Sequence, residues 1–226
     1  MFSQTIQGII IKITNFHEAD KIVTVFSKEL GKTQFIAKGV RKVKSKTSGI
    51  VDLFIEANFE LTNKSQLPTL IQAQLITWFP YLRTSLAHWQ FAERAARALY
   101  KATKEHDPHP ELYFLLRDFL MQGKDHGDPQ YWWLNFLWQL LFLSGFGINL
   151  SHCLNCAQPL VKETVGSKIH TYEGFRCREC SLKVDANDQL IHQVLVSLEN
   201  KENELERQGF AVTQGFLEDA FKYHFL

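Results

Sequence analysis

Cys153-Leu-Asn-Cys156 and Cys177-Arg-Glu-Cys180 supply four thiols as two CxxC pairs, 20 residues apart. Each CxxC turn aims two sulfurs at one point, and two turns at this distance match structural zinc sites. There four thiolates close a tetrahedron and leave no coordination position for a substrate. The segment between them, Ala157 to Arg176, is mixed polar with Gly166 and Gly174, as the strands and turns of a zinc ribbon require. A thioredoxin-like redox pair fits less well, because it needs one CxxC opening a helix in a βαβ setting. An iron–sulfur cluster is the weaker metal alternative, and a zinc deaminase would need an HxE motif and a proline before a CxxC, both missing here. The expected ligands are therefore Cys153, Cys156, Cys177 and Cys180 around one structural Zn2+. Arg176, Arg178 and Lys183 surround the second pair, where they would suit a phosphate or a protein partner, and the sequence leaves both uses open.

The second chemically distinctive stretch is residues 30–46, which carry Lys32, Lys38, Arg41, Lys42, Lys44 and Lys46 without one acidic residue. Its first half alternates as a strand after a turn at Gly31, and its second half has no apolar periodicity. A basic loop hung on a sheet attracts a polyanion, and phosphate neutralisation with counterion release makes such binding salt-sensitive. The chain's net charge of +1 hides this. Residues 1–80 hold 10 Lys and Arg against 6 Asp and Glu, net +4, while residues 81–226 hold 15 against 18, net −3.

Five strand-like segments position the loop: Thr5 to Phe16, Lys21 to Lys28, the strand from Gly31, Asp52 to Leu61 and Leu70 to Thr77. In the fourth, Leu53, Ile55, Ala57, Phe59 and Leu61 alternate with Asp52, Phe54, Glu56, Asn58 and Glu60, giving one buried and one wet face. In the fifth, Ile71, Ala73 and Leu75 alternate with Gln72 and Gln74. Five short strands without a crossover helix suit a small closed antiparallel barrel; an OB-fold is the natural candidate, and other small barrels fit the strand count as well.

Helical patterns follow. Pro80 suits a first helical turn, and Leu82, Leu86, Trp89, Ala92, Ala96 and Leu99 form a core stripe. On the other side Arg83, Gln90, Arg94, Arg97, Lys101 and Lys104 fall within about 80° of one another at 3.6 residues per turn, so this helix extends the basic surface if both face one way. Glu111 to Gln122 is a second amphipathic helix. Gln130 to Leu143 is apolar nearly all round and is expected at the centre of the second domain. Asn187 to Gln208, ended by Gly209, and Thr213 to Leu226 complete the pattern.

At 226 residues the chain can bury a proper core without disulfides, and its cysteine usage fits a reducing compartment. Met1 to Ile6 carries no apolar export signal, and the most hydrophobic run, Tyr131 to Ile148, is interrupted by Asn135, Gln139 and two glycines, so no membrane span is expected. No GxxxxGK[ST] phosphate loop and no two-metal carboxylate spacing occur, so the reading is of a binding protein and not an enzyme.

Three stretches in order resemble one family, the bacterial recombination mediator RecO. Gly8-Ile-Ile-Ile-Lys12, Glu18-Ala-Asp20, Val23-Thr-Val-Phe26, Gly31 and Ala37-Lys-Gly-Val-Arg-Lys42 are similar to its opening pattern. Gln74-Leu-Ile76, Phe79-Pro80 and Leu82-Arg83 resemble its passage from barrel to helices. Leu140-Leu141-Phe-Leu-Ser-Gly145-Phe-Gly, the first CxxC and Gly174-Phe-Arg-Cys177 resemble its central helix and zinc segment. Val40 and Val43 interrupt a loop that is often denser in arginine, and Ala157 stands where a glycine is common. Some members lack the cysteines, which implies a metal that supports structure.

The resemblance implies an α+β multidomain protein: an OB-fold β-barrel over 1–79, then a helical domain over 80–226 carrying the four-cysteine zinc ribbon at about 150–183. It implies binding of single- and double-stranded DNA, annealing of complementary strands, and partnership with RecR and single-stranded DNA-binding protein to help load RecA. Carried over residue by residue, the DNA contacts are Lys32, Lys38, Arg41, Lys42 and Lys44, to which the charge pattern adds Lys46, Arg94, Arg97 and Lys101. Such a protein works in the bacterial cytoplasm at the nucleoid. The rival reading is a zinc-ribbon adaptor that binds proteins and has no annealing activity of its own.

Overall fold

A computed structural model of the chain describes residues 3–45, 47–62, 67–122, 129–200 and 209–226. Its contacts group into two compact units, Met1–Pro129 and Gln130–Leu226.

The first unit is built on strands β1 (Ser3–Phe16), β2 (Asp20–Ser27), β3 (Gly31–Ala37), β4 (Glu56–Thr62) and β5 (Leu70–Thr77), in the sheet order β3-β2-β1-β4-β5. All four pairings are antiparallel. A parallel bridge between Ile36 and Thr69 brings the two ends of the sheet together, which completes an OB-fold barrel. The long β1 serves two partners, β4 through Ser3 to Ile9 and β2 through Gly8 to Phe16, and a bulge between Ile10 and Lys12 lets it coil from one to the other. Ile6, Ile10, Val23, Val25, Phe35, Val40, Val51 and Phe59 fill the interior, with the Phe35 and Phe59 rings 5.2 Å apart. Each such side chain contributes about 1.5–3 kcal/mol by leaving water.

The expected helix from Pro80 is split. Phe79 is buried in the left-handed region at φ 44°, Pro80–Arg83 forms a single 3₁₀ turn, and helix α1 runs only from Leu86 to Ala102 after Ser85. Leu86, assigned to the core stripe, is 73% exposed, whereas Ala92, Ala95, Ala96, Ala98 and Leu99 are buried. Helix α2 (Pro110–Gln122) follows and packs on the barrel with α1. Gly31 fits this arrangement twice over. It turns at φ 64°, and a Cβ there would sit 2.0 Å from the carbonyl oxygen of Asp107.

Two faces of the barrel differ from the alternation pattern for one physical reason, namely which layer covers them. Phe54 and Glu56, assigned to the wet face of the fourth segment, are 2% and 0% exposed, because α1 and α2 lie over that face. Phe54 stacks edge-on against Trp89 at 5.0 Å, and β4 begins only at Glu56. Conversely Ile71 and Leu75, the apolar members of the alternation in β5, remain 45% and 47% exposed at the edge of the sheet.

In the second unit α3 (Pro129–Leu143) is buried over most of its surface through Trp132, Trp133, Leu134, Phe136, Leu137, Trp138, Leu140 and Leu141. A hairpin of β6 (Val165–Lys168) and β7 (Phe175–Cys177) follows, then α4 (Ala186–Glu199) and α5 (Phe210–Phe225). Helix α4 ends at Glu199, and the expected extension to Gln208 falls on 201–208, outside the described residues. Gly209 is the N-cap of α5, which starts at Phe210, ahead of the expected Thr213. No helix among the described residues is long and apolar enough to cross a membrane.

The Glu56 carboxylate accepts from Tyr113 Oη at 2.6 Å, Gln7 Nε2 at 2.8 Å and Arg117 Nε at 3.0 Å. Burial first, then the hydrogen bond to Glu56, pushes the Tyr113 phenol above its ordinary range. An acid held protonated in the fold contributes stability that is complete below the unfolded-state pKa of about 10 and is lost as pH rises above it. The expected stability curve therefore falls above about pH 10, and Tyr113→Phe removes that part of the fall. Arg117→Ala, which leaves the buried carboxylate without its cation, should cost about 3 kcal/mol at neutral pH. Denaturant unfolding of the three proteins across pH checks both, and an identical alkaline fall in Tyr113→Phe would rule out the assignment.

Candidate metal centre and nucleic-acid interface

The sulfurs of Cys153, Cys156, Cys177 and Cys180 all lie within 4.8 Å of one another, a group that could hold a metal ion. Two turns present them. In the first, Ala157 N–H donates to the Cys153 carbonyl at 2.9 Å, closing the CxxC loop with Ala157 in the left-handed region at φ 58°. That conformation favours glycine, since a Cβ costs about 1–2 kcal/mol in it. In the second, β7 delivers Cys177, and Cys180 N–H donates to the Cys177 carbonyl at 3.2 Å. Gly166 on β6 lets the second turn pack closely against the hairpin, because a Cβ there would lie 2.2 Å from Ser181 Oγ and 2.7 Å from the Cys177 carbonyl oxygen.

Donors converge on the sulfurs. Cys177 N–H reaches Cys153 Sγ at 3.2 Å, Asn155 N–H reaches it at 3.4 Å, and Asn155 Nδ2 reaches Cys180 Sγ at 3.3 Å. Burial opposes ionisation of Cys153, but the backbone N–H groups of Cys177, Cys156 and Asn155, with the Cys156 thiol, outweigh it and hold the thiol down at about 6. A thiolate solvated by backbone N–H groups is what a metal–sulfur centre presents. Cys153 and Cys177 are buried while Cys156 is exposed, so the centre lies at the surface of its unit.

The basic loop is anchored, not free-hanging. Gly39 N–H donates to Asp20 Oδ1 at 2.7 Å, Arg41 N–H to the Ala19 carbonyl at 3.0 Å, and Arg41 Nη1 to the His17 carbonyl at 3.3 Å. Val40 and Val51 plug both ends of the loop into the barrel core. Lys38, Arg41, Lys42 and Lys44 are left exposed on this rigid frame, and Val43 is fully exposed among them. Lys46 lies outside the described residues.

Lys32 does not join them. It is 6% exposed, donates to the carbonyls of Tyr100 and Thr103 at the end of α1, and sits 4.2 Å over the Tyr100 ring. Burial lowers its pKa, partly offset by Glu105. This lysine caps a helix C-terminus, where carbonyls lack partners, and is unavailable to a phosphate.

Arg94, Arg97 and Lys101 are exposed along α1, whereas Arg83 sits before the helix and is paired with Asp52 at 2.7 Å. Lys104 lies beyond the helix end, so the six-residue face foreseen there shortens to three cations. Arg97 lines a cavity of about 350 Å³ with Lys12, Leu53, Phe54, Tyr100 and the acidic Glu93. Lys12 reaches this cavity from the bulge of β1, 4.8 Å over the Tyr100 ring. No charge run marks it in the sequence; only the bulge turns it towards α1. Because Leu53 and Phe54 end the loop that begins at Lys38, loop and cavity border one another.

Sequence comparison gives these features a family. The model described as Recombination protein O N terminal matches residues 1–79, and that described as Recombination protein O C terminal matches residues 83–222. A DNA repair protein RecO of Symbiobacterium thermophilum is 28% identical over 178 residues, 78% of this chain and 70% of that protein. That of Listeria monocytogenes serotype 4b is 30% identical over 152 residues, 67% of this chain and 60% of the relative. That of Bacillus velezensis is 30% identical over 176 residues, covering 77% and 67%. The chain thus spans roughly two thirds of the length of the curated relatives it matches.

A tetrahedral four-sulfur pocket should take up about one equivalent of Co2+ per chain and develop thiolate charge-transfer and d–d absorption. Cys156→Ser, at the exposed ligand, should change the d–d bands and weaken uptake. A titration showing octahedral cobalt, or spectra unaltered by the substitution, would contradict the site.

Proposed function

As the chain belongs to the recombination protein O family, we propose that it is a DNA repair protein that binds single- and double-stranded DNA and anneals complementary strands. In this reading it works with RecR and single-stranded DNA-binding protein to help load RecA, in the bacterial cytoplasm at the nucleoid. The observation that carries the proposal is the anchored loop whose cations Lys38, Arg41, Lys42 and Lys44 are exposed and have no acidic neighbour within residues 30–46. Fixed cations on a rigid barrel neutralise backbone phosphates with little ordering cost. With repulsion between two strands reduced, base pairing completes annealing, and no bond is made or broken by the protein. Arg94, Arg97, Lys101 and Lys12 extend the phosphate-binding surface along the cavity beside α1.

The metal we assign to the cysteine centre is Zn2+. Tetrahedral zinc with sulfur ligands at about 2.3 Å requires sulfurs about 3.8 Å apart, and Cys156 and Cys177 stand at 3.7 Å. Four protein ligands leave it structural, holding the β6–β7 hairpin in a segment too short to bury much surface unaided.

A specific observation supports the adaptor reading for the ribbon alone. Leu154, Val161, Leu182 and Val184 are 41%, 53%, 103% and 44% exposed around it. Apolar side chains at this density suit a protein partner better than DNA.

The test is ATP-free annealing of complementary oligonucleotides coated with their cognate single-stranded DNA-binding protein. Wild type is compared with a variant in which Lys38, Arg41, Lys42 and Lys44 are alanine. Wild type should anneal and the folded variant should not, and the slope of log affinity against log salt should fall by about 3 to 4. Equal annealing would move the DNA path to α1, and no annealing by either protein would favour the adaptor.

A further inference from the structure

The two CxxC turns are tied to each other by one donor in each direction. From the second turn, Cys177 N–H reaches back to Cys153 Sγ at 3.2 Å. From the first, Asn155 Nδ2 reaches forward to Cys180 Sγ at 3.3 Å, across 25 positions of sequence. The former bond belongs to the backbone and survives a change of side chain, whereas the latter exists only because residue 155 carries a short amide. Asn155 also turns its own N–H to Cys153 Sγ at 3.4 Å, so this one residue donates to a sulfur of each pair. The bond to Cys180 falls on the outer side of the group. Cys153 and Cys177 are buried, while Cys156 is exposed and Cys180 half-buried, so water and competing ligands arrive at the Cys156–Cys180 edge.

We propose that Asn155 is a positioning residue for the metal: through its side-chain amide it fixes Cys180 Sγ and sets how firmly the solvent-facing edge of the centre holds its ion. The proposal rests on the assignment of Zn2+ to these four cysteines. Four thiolates around a divalent cation leave an excess of negative charge, which is concentrated on sulfur. N–H donors offset that charge, and a ligand already oriented by a neighbour loses less freedom when it coordinates. Cys153 receives its donors from the backbone, but Cys180 takes a side-chain donor from the other turn, so metal retention at the outer edge depends on residue type at 155. Aspartate has the same shape as asparagine and would set a carboxylate oxygen against the thiolate. Alanine would remove the bond and little else, because Asn155 is exposed.

Competition for Zn2+ between the full-length chain and a chromophoric chelator tests this. Asn155→Ala should weaken zinc binding by about tenfold and Asn155→Asp by about a hundredfold. The effect should also depend on its acceptor. In a Cys180→Ala background, Asn155→Ala should cost less than about twofold, whereas in a Cys156→Ala background it should keep its tenfold cost. A spectroscopic signature separates action on the sulfur from general loosening of the turn. With Co2+ in place of zinc, the sulfur-to-metal charge-transfer band of Asn155→Ala should move to longer wavelength, because a sulfur relieved of a hydrogen bond gives up its electrons more readily, while the tetrahedral d–d bands stay. Equal zinc affinity in wild type and Asn155→Ala, equal costs in the two cysteine backgrounds, or an unmoved charge-transfer band would each overturn the proposal and leave the zinc assignment standing. A wild type that takes up no zinc would overturn both.

Discussion

The first unit depends on one buried carboxylate. Glu56 has no exposure, and an isolated charge in that position would cost several kcal/mol of lost hydration. Its oxygens are satisfied only because Tyr113 and Arg117 reach it from α2 and Gln7 reaches it from β1. The barrel therefore cannot reach its native energy without α2, and α2 cannot dock elsewhere without leaving Glu56 unpaired. This explains a difference between two ways of dividing the chain. Family matching places its boundary near residue 80, whereas packing holds both early helices with the barrel up to Pro129.

Lys32 plays the complementary part. A strand residue whose ammonium docks on the last carbonyls of α1 fixes that helix as Glu56 fixes α2. The cations of the amino-terminal region thus fall into two groups. Those that meet carbonyls or carboxylates within the unit, Lys32, Arg83 and Arg117, are spent on the fold. On the loop after β3, Arg41 bonds the His17 carbonyl, while Lys38, Arg41, Lys42 and Lys44 all stay exposed in a stretch, residues 30–46, that holds no acidic residue. A local excess of one sign, without an acidic residue in residues 30–46, sets these exposed cations apart from the structural ones.

Much of this was legible beforehand. The limits of β5, the two CxxC turns and the apolar surround of α3 follow from residue type and spacing alone. Ala157 was visible as a departure from glycine, and the left-handed backbone gives that departure its physical meaning. What periodicity could not show is which layer covers a face. Alternation marks the two sides of the fourth segment but not that helices would roof the polar one, so Phe54 and Glu56 read as wet. The same limitation hid Lys32, which looks like any member of a charge run until the end of α1 is placed above it. Lys12 was missed because a bulge, not a pattern, points it at its neighbours.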